Sequence, residues 1–170
     1  MTEPGEIRLR RPVEADHARL VGQVDEWWSG RKVHPLLPRL WFQHFTGTSW
    51  VAEDESDRLV GFIVGFVSPD RPGEAYVHMI GTSPGHRRRG LGRTLYERFL
   101  ADVAERGIRR VTSVTWPGNR GSIAFHRALG FDAEVGPGTQ NLYGTPAYPD
   151  YDADGDDRVV FSRELRPPAG

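Results

Sequence analysis

The chain has 170 residues, 38% of them hydrophobic, and a formal net charge of -1 from 22 Lys and Arg against 23 Asp and Glu; that length suits one domain with a proper core, and the balance argues against general nucleic-acid binding, which needs a domain-wide basic excess. Zero cysteines exclude disulfides, thiolate metal sites and an acyl-cysteine intermediate. No run approaches the roughly 18 apolar residues of a membrane span, and the acidic, Pro-containing start Thr2-Glu3-Pro4-Gly5-Glu6 is unlike a signal peptide, so the expectation is a cytoplasmic protein with neither membrane nor nucleic-acid partners. One domain is expected over 1–170, with an ordered core over 6–165 and a frayed tail at 166–170.

Ile7-Arg8-Leu9-Arg10 alternates as a first strand. Val13 to Trp28 reads as a helix after Pro12, and Leu36 to Phe45 as a second. Ser49 to Glu53 and Leu59 to Val67 form a predicted hairpin around the Asp54 to Arg58 turn, its second arm apolar enough to be buried on both faces. Glu74 to Ile80 is a strand ending at the Gly81 to Gly85 turn, and Leu91, Leu95, Phe99 and Val103 line one face of an amphipathic helix. Arg109 to Trp116 is the next strand, Pro117-Gly118-Asn119 a break and cap, and Ser122 to Leu129 a short helix closed by Gly130, with Phe131 folding back on it. From Ala133 the pattern loosens through Gly136-Pro137-Gly138, and Arg158 to Leu165 returns as a final strand. The order β-α-α-β-β-β-α-β-α-β-β is α/β with a mixed sheet.

Between the strand at 74 and the helix at 91 lies His86-Arg87-Arg88-Arg89-Gly90-Leu91-Gly92-Arg93-Thr94-Leu95. Glycines at a helix N-terminus let an anion approach N–H groups that have no intrahelical partner, and the helix dipole and the four arginines add positive potential. A Walker A loop fails here because Leu91 and Gly92 stand where Lys and Ser or Thr are needed. A dinucleotide fingerprint fails because Leu95 replaces its third glycine. The spacing that fits, Arg87-x-x-Gly90-x-Gly92 after a strand and Pro84, resembles the pyrophosphate loop of the GNAT superfamily of N-acetyltransferases. Asn119-x-x-Ser122-x-x-Phe125-His126-x-x-Leu129-Gly130-Phe131 is similar to that superfamily's second acyl-CoA-contacting motif, so the resemblance covers roughly Arg8 to Phe131.

The resemblance implies a mixed, mostly antiparallel central sheet flanked by helices and splayed between the fourth and fifth strands, with acetyl-CoA as acyl donor; the six histidines are scattered without a ligand spacing, so no metal is expected. It assigns the pantetheine and oxyanion contacts to Ile80, Gly81 and Thr82, the pyrophosphate to Arg87, Arg88, Arg89, Gly90, Leu91, Gly92, Arg93 and Thr94, and further acyl-CoA contacts to Asn119, Ser122, Phe125 and His126. Asn119 and Ser122 also read as helix caps, and Thr94 either donates to phosphate or bonds back to its helix. Direct attack by an amine is the implied reaction, and it needs a base for the ammonium and a proton for the departing thiolate. By strand alternation His78 shares a face with Tyr76 and Ile80; His78 is either the base, with Tyr76 beside it, or a histidine satisfied by backbone carbonyls. The family frequently has Tyr where His126 stands. His126 either protonates the thiolate or packs beside the sulfur while Tyr143 or a water serves.

In this fold the acceptor site is usually built from the first two helices, the loop between them and the late hairpin. Here those supply Trp27, Trp28, His34, Trp41, Phe42 and His44 on one side, and Tyr143, Tyr148, Tyr151 and the run Asp150, Asp152, Asp154, Asp156 and Asp157 on the other. Aromatic faces with carboxylates suit a cationic amine; the competing reading is that the aromatics are core and the acidic turn is solvated. Asp150-x-Asp152-x-Asp154-Gly155 begins like a calcium loop but has Phe161 where the bidentate Glu belongs. The expected acceptor is a small-molecule amine, an amino acid or an amine antibiotic. A protein N-terminus or lysine is the enzymatic alternative, and a non-catalytic acyl-CoA sensor is the alternative of another class. Dimerisation is common in such folds, so a homodimer is allowed.

Overall fold

The computed structural model describes residues 5–167, so the opening residues of the acidic start and the last three of the predicted tail lie outside the described residues. In chain order the elements are β1 (Arg8–Arg10), α1 (Asp16–Val21), α2 (Val24–Trp27), α3 (Leu40–His44), β2 (Trp50–Glu53), β3 (Leu59–Val67), β4 (Glu74–Thr82), α4 (Leu91–Glu105), β5 (Arg110–Thr115), α5 (Arg120–Ala128), β6 (Asp132–Ala133), β7 (Gln140–Leu142), β8 (Thr145–Ala147) and β9 (Val159–Glu164). Seven strands hydrogen-bond in the order β1-β2-β3-β4-β5-β9-β6, and β7 and β8 form a separate pair. The sheet is mostly antiparallel, as expected, with β4 and β5 parallel through Glu74–Arg110, Ala75–Val111 and Tyr76–Thr112, the first third of β4. The chain divides into two compact units: residues up to 67 with 77–107, and residues 68–76 with 108 onward.

In the first unit, Leu20, Val24, Trp27, Leu37, Trp41, Phe42, Val51, Phe62 and Val64 form one apolar cluster, while α4 packs on β2 and β3. The predicted helix over 13–28 is two shorter ones. Gly22 ends α1 and Gln23, at φ -137°, reorients the chain into α2. Leu20, Val24 and Trp27 stay buried across the break, which is why their helical spacing reads as continuous. The predicted 36–45 helix is likewise a 3-10 turn at His34–Leu36 and then α3. Pro38 removes a donor and drives Leu37 out of the helical region, to ψ 62°. A buried ionic network ties β1, α1 and β2 together: Arg10 reaches both Asp16 oxygens at 2.8 and 2.9 Å and Glu53 Oε1 at 2.6 Å.

In the second unit, β5 pairs with β9 over six residues, Arg110–Glu164 to Thr115–Val159. The predicted loose stretch after Ala133 contains the β7–β8 hairpin. Its turn residues Tyr143 and Gly144 both have positive φ, 53° and 83°, the requirement of a type I′ turn. The acidic segment 150–157 is a closed turn: Asp157 Oδ1 accepts Asp150 N at 2.9 Å and Asp150 Oδ1 accepts Gly155 N at 2.6 Å.

Candidate active site

The candidate pyrophosphate cradle, residues 87–94, lies in the first unit. A single 3-10 turn, Pro84–His86, follows β4, and Gly90 then enters α4 as its N-cap at φ 80°. That left-handed conformation strains any residue with a Cβ. The N-cap Gly90 makes no side-chain cap bond, so the first-turn N–H groups of Leu91 and Gly92 are not consumed by a capping side chain, as an anion site requires. Leu91 is buried and anchors the helix start against Gly61, whereas Arg88 and Arg89 are exposed. Arg93 lies 3.6 Å from Glu97. Thr94 bonds backward, its N and Oγ1 donating to Gly90 O at 2.9 and 3.0 Å. Arg87 donates through Nη2 to the Trp27 carbonyl at the end of α2.

Upstream, Gly81 lies beneath the Trp28 ring. A Cβ built there would stand 2.5 Å from Trp28 Cη2 and 2.8 Å from Phe62 Cε1. Ile80 and Thr82 flank it, half-buried. Trp27, expected on the acceptor face, is 4% exposed and tilted against Phe62 at 6.1 Å, so its ring belongs to the core.

His78 stacks on Trp41 with centroids 4.6 Å apart and planes 16° from parallel, and its Nε2 lies 2.6 Å from Leu36 O. Burial lowers its pKa and the Leu36 bond opposes the shift, so at neutral pH the imidazole is uncharged. The carbonyl comes from the turn before α3, not from the sheet. His34 pairs with Asp25, Nδ1 to Oδ2 at 2.7 Å, and that bond leads in lowering the Asp25 pKa.

The second unit holds the other motif. Asn119 Oδ1 accepts Ser122 N at 3.1 Å and caps α5, and Gly130, at φ 82°, terminates it. His126 is 4% exposed, stacked 4.5 Å from Phe161 and edge-on to Phe125 and Phe131. Its Nδ1 lies 2.8 Å from Ser122 O, and because a carbonyl only accepts, that nitrogen carries the hydrogen. Burial lowers the pKa. The neutral ring therefore spends its one N–H on Ser122, and protonating the other nitrogen requires a disfavoured buried imidazolium. The ring is held among Phe125, Phe131 and Phe161.

Tyr76 belongs to this unit, where Tyr151, Asp152 and Arg158 act on it; burial first, then the Tyr151 and Asp152 charges, push its phenol up to about 12. Asp152 Oδ2 is 2.9 Å from Arg158 Nε and Asp156 Oδ1 2.6 Å from Arg158 Nη1, so the acidic run is partly neutralised from within. Tyr151 tilts against Tyr148 at 5.9 Å. Tyr143, 65% exposed, sits at the hairpin turn beside Trp116, 5.4 Å between centroids. Asp25 and Arg158 were not singled out from sequence. Asp25 acts eight and nine residues downstream, beyond any local motif, whereas a lone arginine after five aspartates was a readable signal.

Among the described residues, no group of His, Cys, Asp and Glu could hold a metal ion and no helix is long and apolar enough to cross a membrane.

Comparison with known proteins adds relatives to this geometry. The model of the acetyltransferase (GNAT) family matches residues 19–131. An L-2,4-diaminobutyric acid acetyltransferase of Streptomyces coelicolor is 34% identical over 154 residues, 85% of this chain and 86% of that protein. One from Nocardia farcinica is 33% identical over 111 residues; the match spans 65% of this chain but only 57% of that relative's length. The crystal structure of diaminobutyrate acetyltransferase from Paenibacillus lautus, in complex with L-2,4-diaminobutyric acid and coenzyme A, shares the fold with TM-score 0.71 at 23% identity, covering 98% of this chain and 99% of that one. The matched range takes in both the uncapped N-terminus of α4 behind Gly90 and the Asn119-capped α5, and the chain belongs to the GNAT acetyltransferase family.

Proposed function

We propose that the protein is an acetyl-CoA-dependent N-acetyltransferase acting on the primary amine of a small molecule, with amino acids carrying a second amine as the first class to test. The observation that carries the first half is the Gly90-led, uncapped start of α4, which presents first-turn N–H groups, with Arg88 and Arg89 exposed beside them, to a pyrophosphate. The acceptor class is supported by the Streptomyces coelicolor relative, which aligns over most of both chains and is named for acetylating L-2,4-diaminobutyric acid.

In this reading the 87–94 segment holds the pyrophosphate, and backbone N–H groups of Ile80 to Thr82 face the pantetheine and the developing oxyanion. Asn119, Ser122 and Phe125 supply the contacts that the family's second motif implies. Such preorganised donors are worth about 3 to 4 kcal/mol each in other acyl-transfer enzymes. The amine nitrogen attacks the thioester carbonyl, the C–S bond breaks, and the thiolate leaves. An alkylammonium of pKa about 10.4 is neutral in only about one molecule in 2,500 at pH 7, a deficit near 4.6 kcal/mol that a base in the site offsets. His78, uncharged at neutral pH and bonded through one nitrogen only, is our choice for that base. The thiolate takes its proton from Tyr143 or from water, since His126 has none to spare.

The test is release of CoA thiol from acetyl-CoA, read with a thiol reagent against pools of diamino acids, other amino acids, polyamines, aminoglycosides and lysine peptides. The protein has no cysteine and adds no background. Release with diamino acids supports the proposal, release only with peptides assigns a protein acceptor, and no release despite acetyl-CoA binding leaves a sensor and refutes the enzyme reading.

A further inference from the structure

The segment 33–37 is fastened to its surroundings, all within the first unit, by three side chains. Asp25 Oδ1 accepts Val33 N at 2.8 Å and His34 N at 2.9 Å, while Oδ2 meets His34 Nδ1. His17 Nε2 lies 3.1 Å from Leu37 O. Between those two fastenings, Leu36 O meets His78 Nε2 at 2.6 Å.

A backbone carbonyl has lone pairs and no hydrogen, so Nε2 of His78 must be the donor. In the neutral ring this leaves the lone pair on Nδ1, and it is the carbonyl's position that selects the tautomer. Trp41, stacked on the ring, fixes the plane, so Nδ1 points along one direction. Leu36 itself is 56% exposed and gains little from burial. What holds its carbonyl in place is the pinning on either side, and Asp25 supplies two backbone bonds of that pinning with a single oxygen.

We propose that Asp25 is a positioning residue for the reaction: by clamping the 33–37 turn it aims the Leu36 carbonyl at His78 and so makes Nδ1 of His78 the atom that takes the amine's proton. This rests on the reading of His78 as base given above. The ammonium gives one proton to Nδ1, the freed lone pair attacks the thioester carbon, the C–S bond breaks to release the thiolate, and the second proton lost by the nitrogen balances the one the thiolate takes up; the imidazolium keeps its Nε2–H on Leu36 until Nδ1 returns its proton to solvent.

The clamp requires an acceptor oxygen at residue 25 and no charge, which separates it from the other role open to Asp25, orienting His34 as the base. Asp25→Asn keeps an oxygen for Val33 N and His34 N but offers His34 Nδ1 an amide donor, reversing that tautomer. Asp25→Ala removes the clamp. With protein carrying 15N-histidine, long-range 1H–15N spectra at neutral pH report each ring's tautomer, and His78→Gln identifies the His78 signals by their loss. The wild type and Asp25→Asn should show His78 protonated at Nε2 only, and Asp25→Ala a mixture of tautomers. With L-2,4-diaminobutyrate as acceptor probe, kcat in Asp25→Ala should fall at least about tenfold with KM for acetyl-CoA unchanged, while Asp25→Asn, which keeps the acceptor oxygen, stays within about twofold of wild type.

A His78 protonated at Nδ1 in the wild type overturns the proposal, as does an Asp25→Ala variant with kcat and tautomer unaltered. Equal kcat losses in Asp25→Asn and Asp25→Ala overturn it in favour of the charged Asp25–His34 pair. The tautomer readout needs no turnover, so a wild type inactive on every amine defeats the acetyltransferase reading and leaves the clamp to be judged by the spectra.

Discussion

Replacing Glu53 by Gln tests how far the first unit depends on buried charge. Glu53 is 3% exposed, and its two oxygens hold three guanidinium groups, Arg10 and Arg8 each at 2.6 Å and Arg19 at 3.3 Å. Those bonds, that to Arg10 above all, hold its pKa at about 2 instead of 4.5. Taken whole, that shift is worth about 3 kcal/mol at neutral pH. The Arg8 and Arg19 side chains are 64% and 41% exposed, and solvent screens their share, so about 2 kcal/mol is the contribution we assign to the charge. The substitution keeps the volume and one acceptor oxygen but leaves Arg10 with Asp16 alone as counter-ion. Urea unfolding at pH 7 should show the variant less stable by about 2 kcal/mol. The sign of the pH dependence follows from a depressed folded-state pKa: the stabilisation is complete above about 4.5 and is lost as pH falls toward about 2. The gap between the two proteins should hold from pH 8 to 6 and shrink below half by pH 3. A gap under about 0.5 kcal/mol at pH 7, or one that does not shrink in acid, would refute the reasoning.

Other consequences are read with simpler assays. Gly81→Ala places a methyl inside the Trp28 and Phe62 rings and should cost about 1–3 kcal/mol; trimming Trp28 to Leu in the same chain should recover part of it, and purely additive losses would deny the contact. Gly90→Ala must adopt φ near 80° with free space around it, a strain of about 1–2 kcal/mol. A rise in KM for acetyl-CoA larger than that in KM for the amine would place the fault in the cradle. His126→Ala removes a ring packed among three phenylalanines and should lower stability by about 2–4 kcal/mol, with turnover of the folded fraction within about twofold; a large turnover loss at unchanged stability would return His126 to proton transfer. His78 and His126 both have pKa values lowered by burial, so the unfolded chain binds protons that the folded one does not. Stability should be complete above pH about 6.5 and decline below it, by up to about 1.4 kcal/mol per pH unit for each ring. Thermal unfolding from pH 5 to 8 checks this, and a flat profile would count against burial of either ring.

What could be read in the sequence divides by the range over which each residue acts. Gly90, Asn119 and Gly130 satisfy needs of the backbone within four residues of themselves, a left-handed entry, an N-cap and a helix stop, so residue type and spacing were enough to place both motifs. Helix length was less legible because Leu20, Val24 and Trp27 keep their burial through the break at Gly22, and periodicity reports burial rather than hydrogen bonding. A late hairpin was expected only from the resemblance; its own residues did not announce β7–β8, because the turn is Tyr143-Gly144 and tyrosine is not the residue type that marks a positive φ. Chemistry was the least legible, since a titratable group takes its properties from residues distant in the chain. His126 occupies a motif position that invites a proton-transfer role, yet it is Phe161, 35 residues later, that completes the ring stack around it. The aspartates near 152 read as a counter-charge for a cationic amine until Arg158 pairs with two of them. His78 shows the reverse case. Its place on β4 was visible from strand alternation, but which of its nitrogens can accept a proton is decided by the carbonyl of Leu36, 42 residues away. Every backbone position carries such a carbonyl, so no choice of side chain at 36 could have announced it.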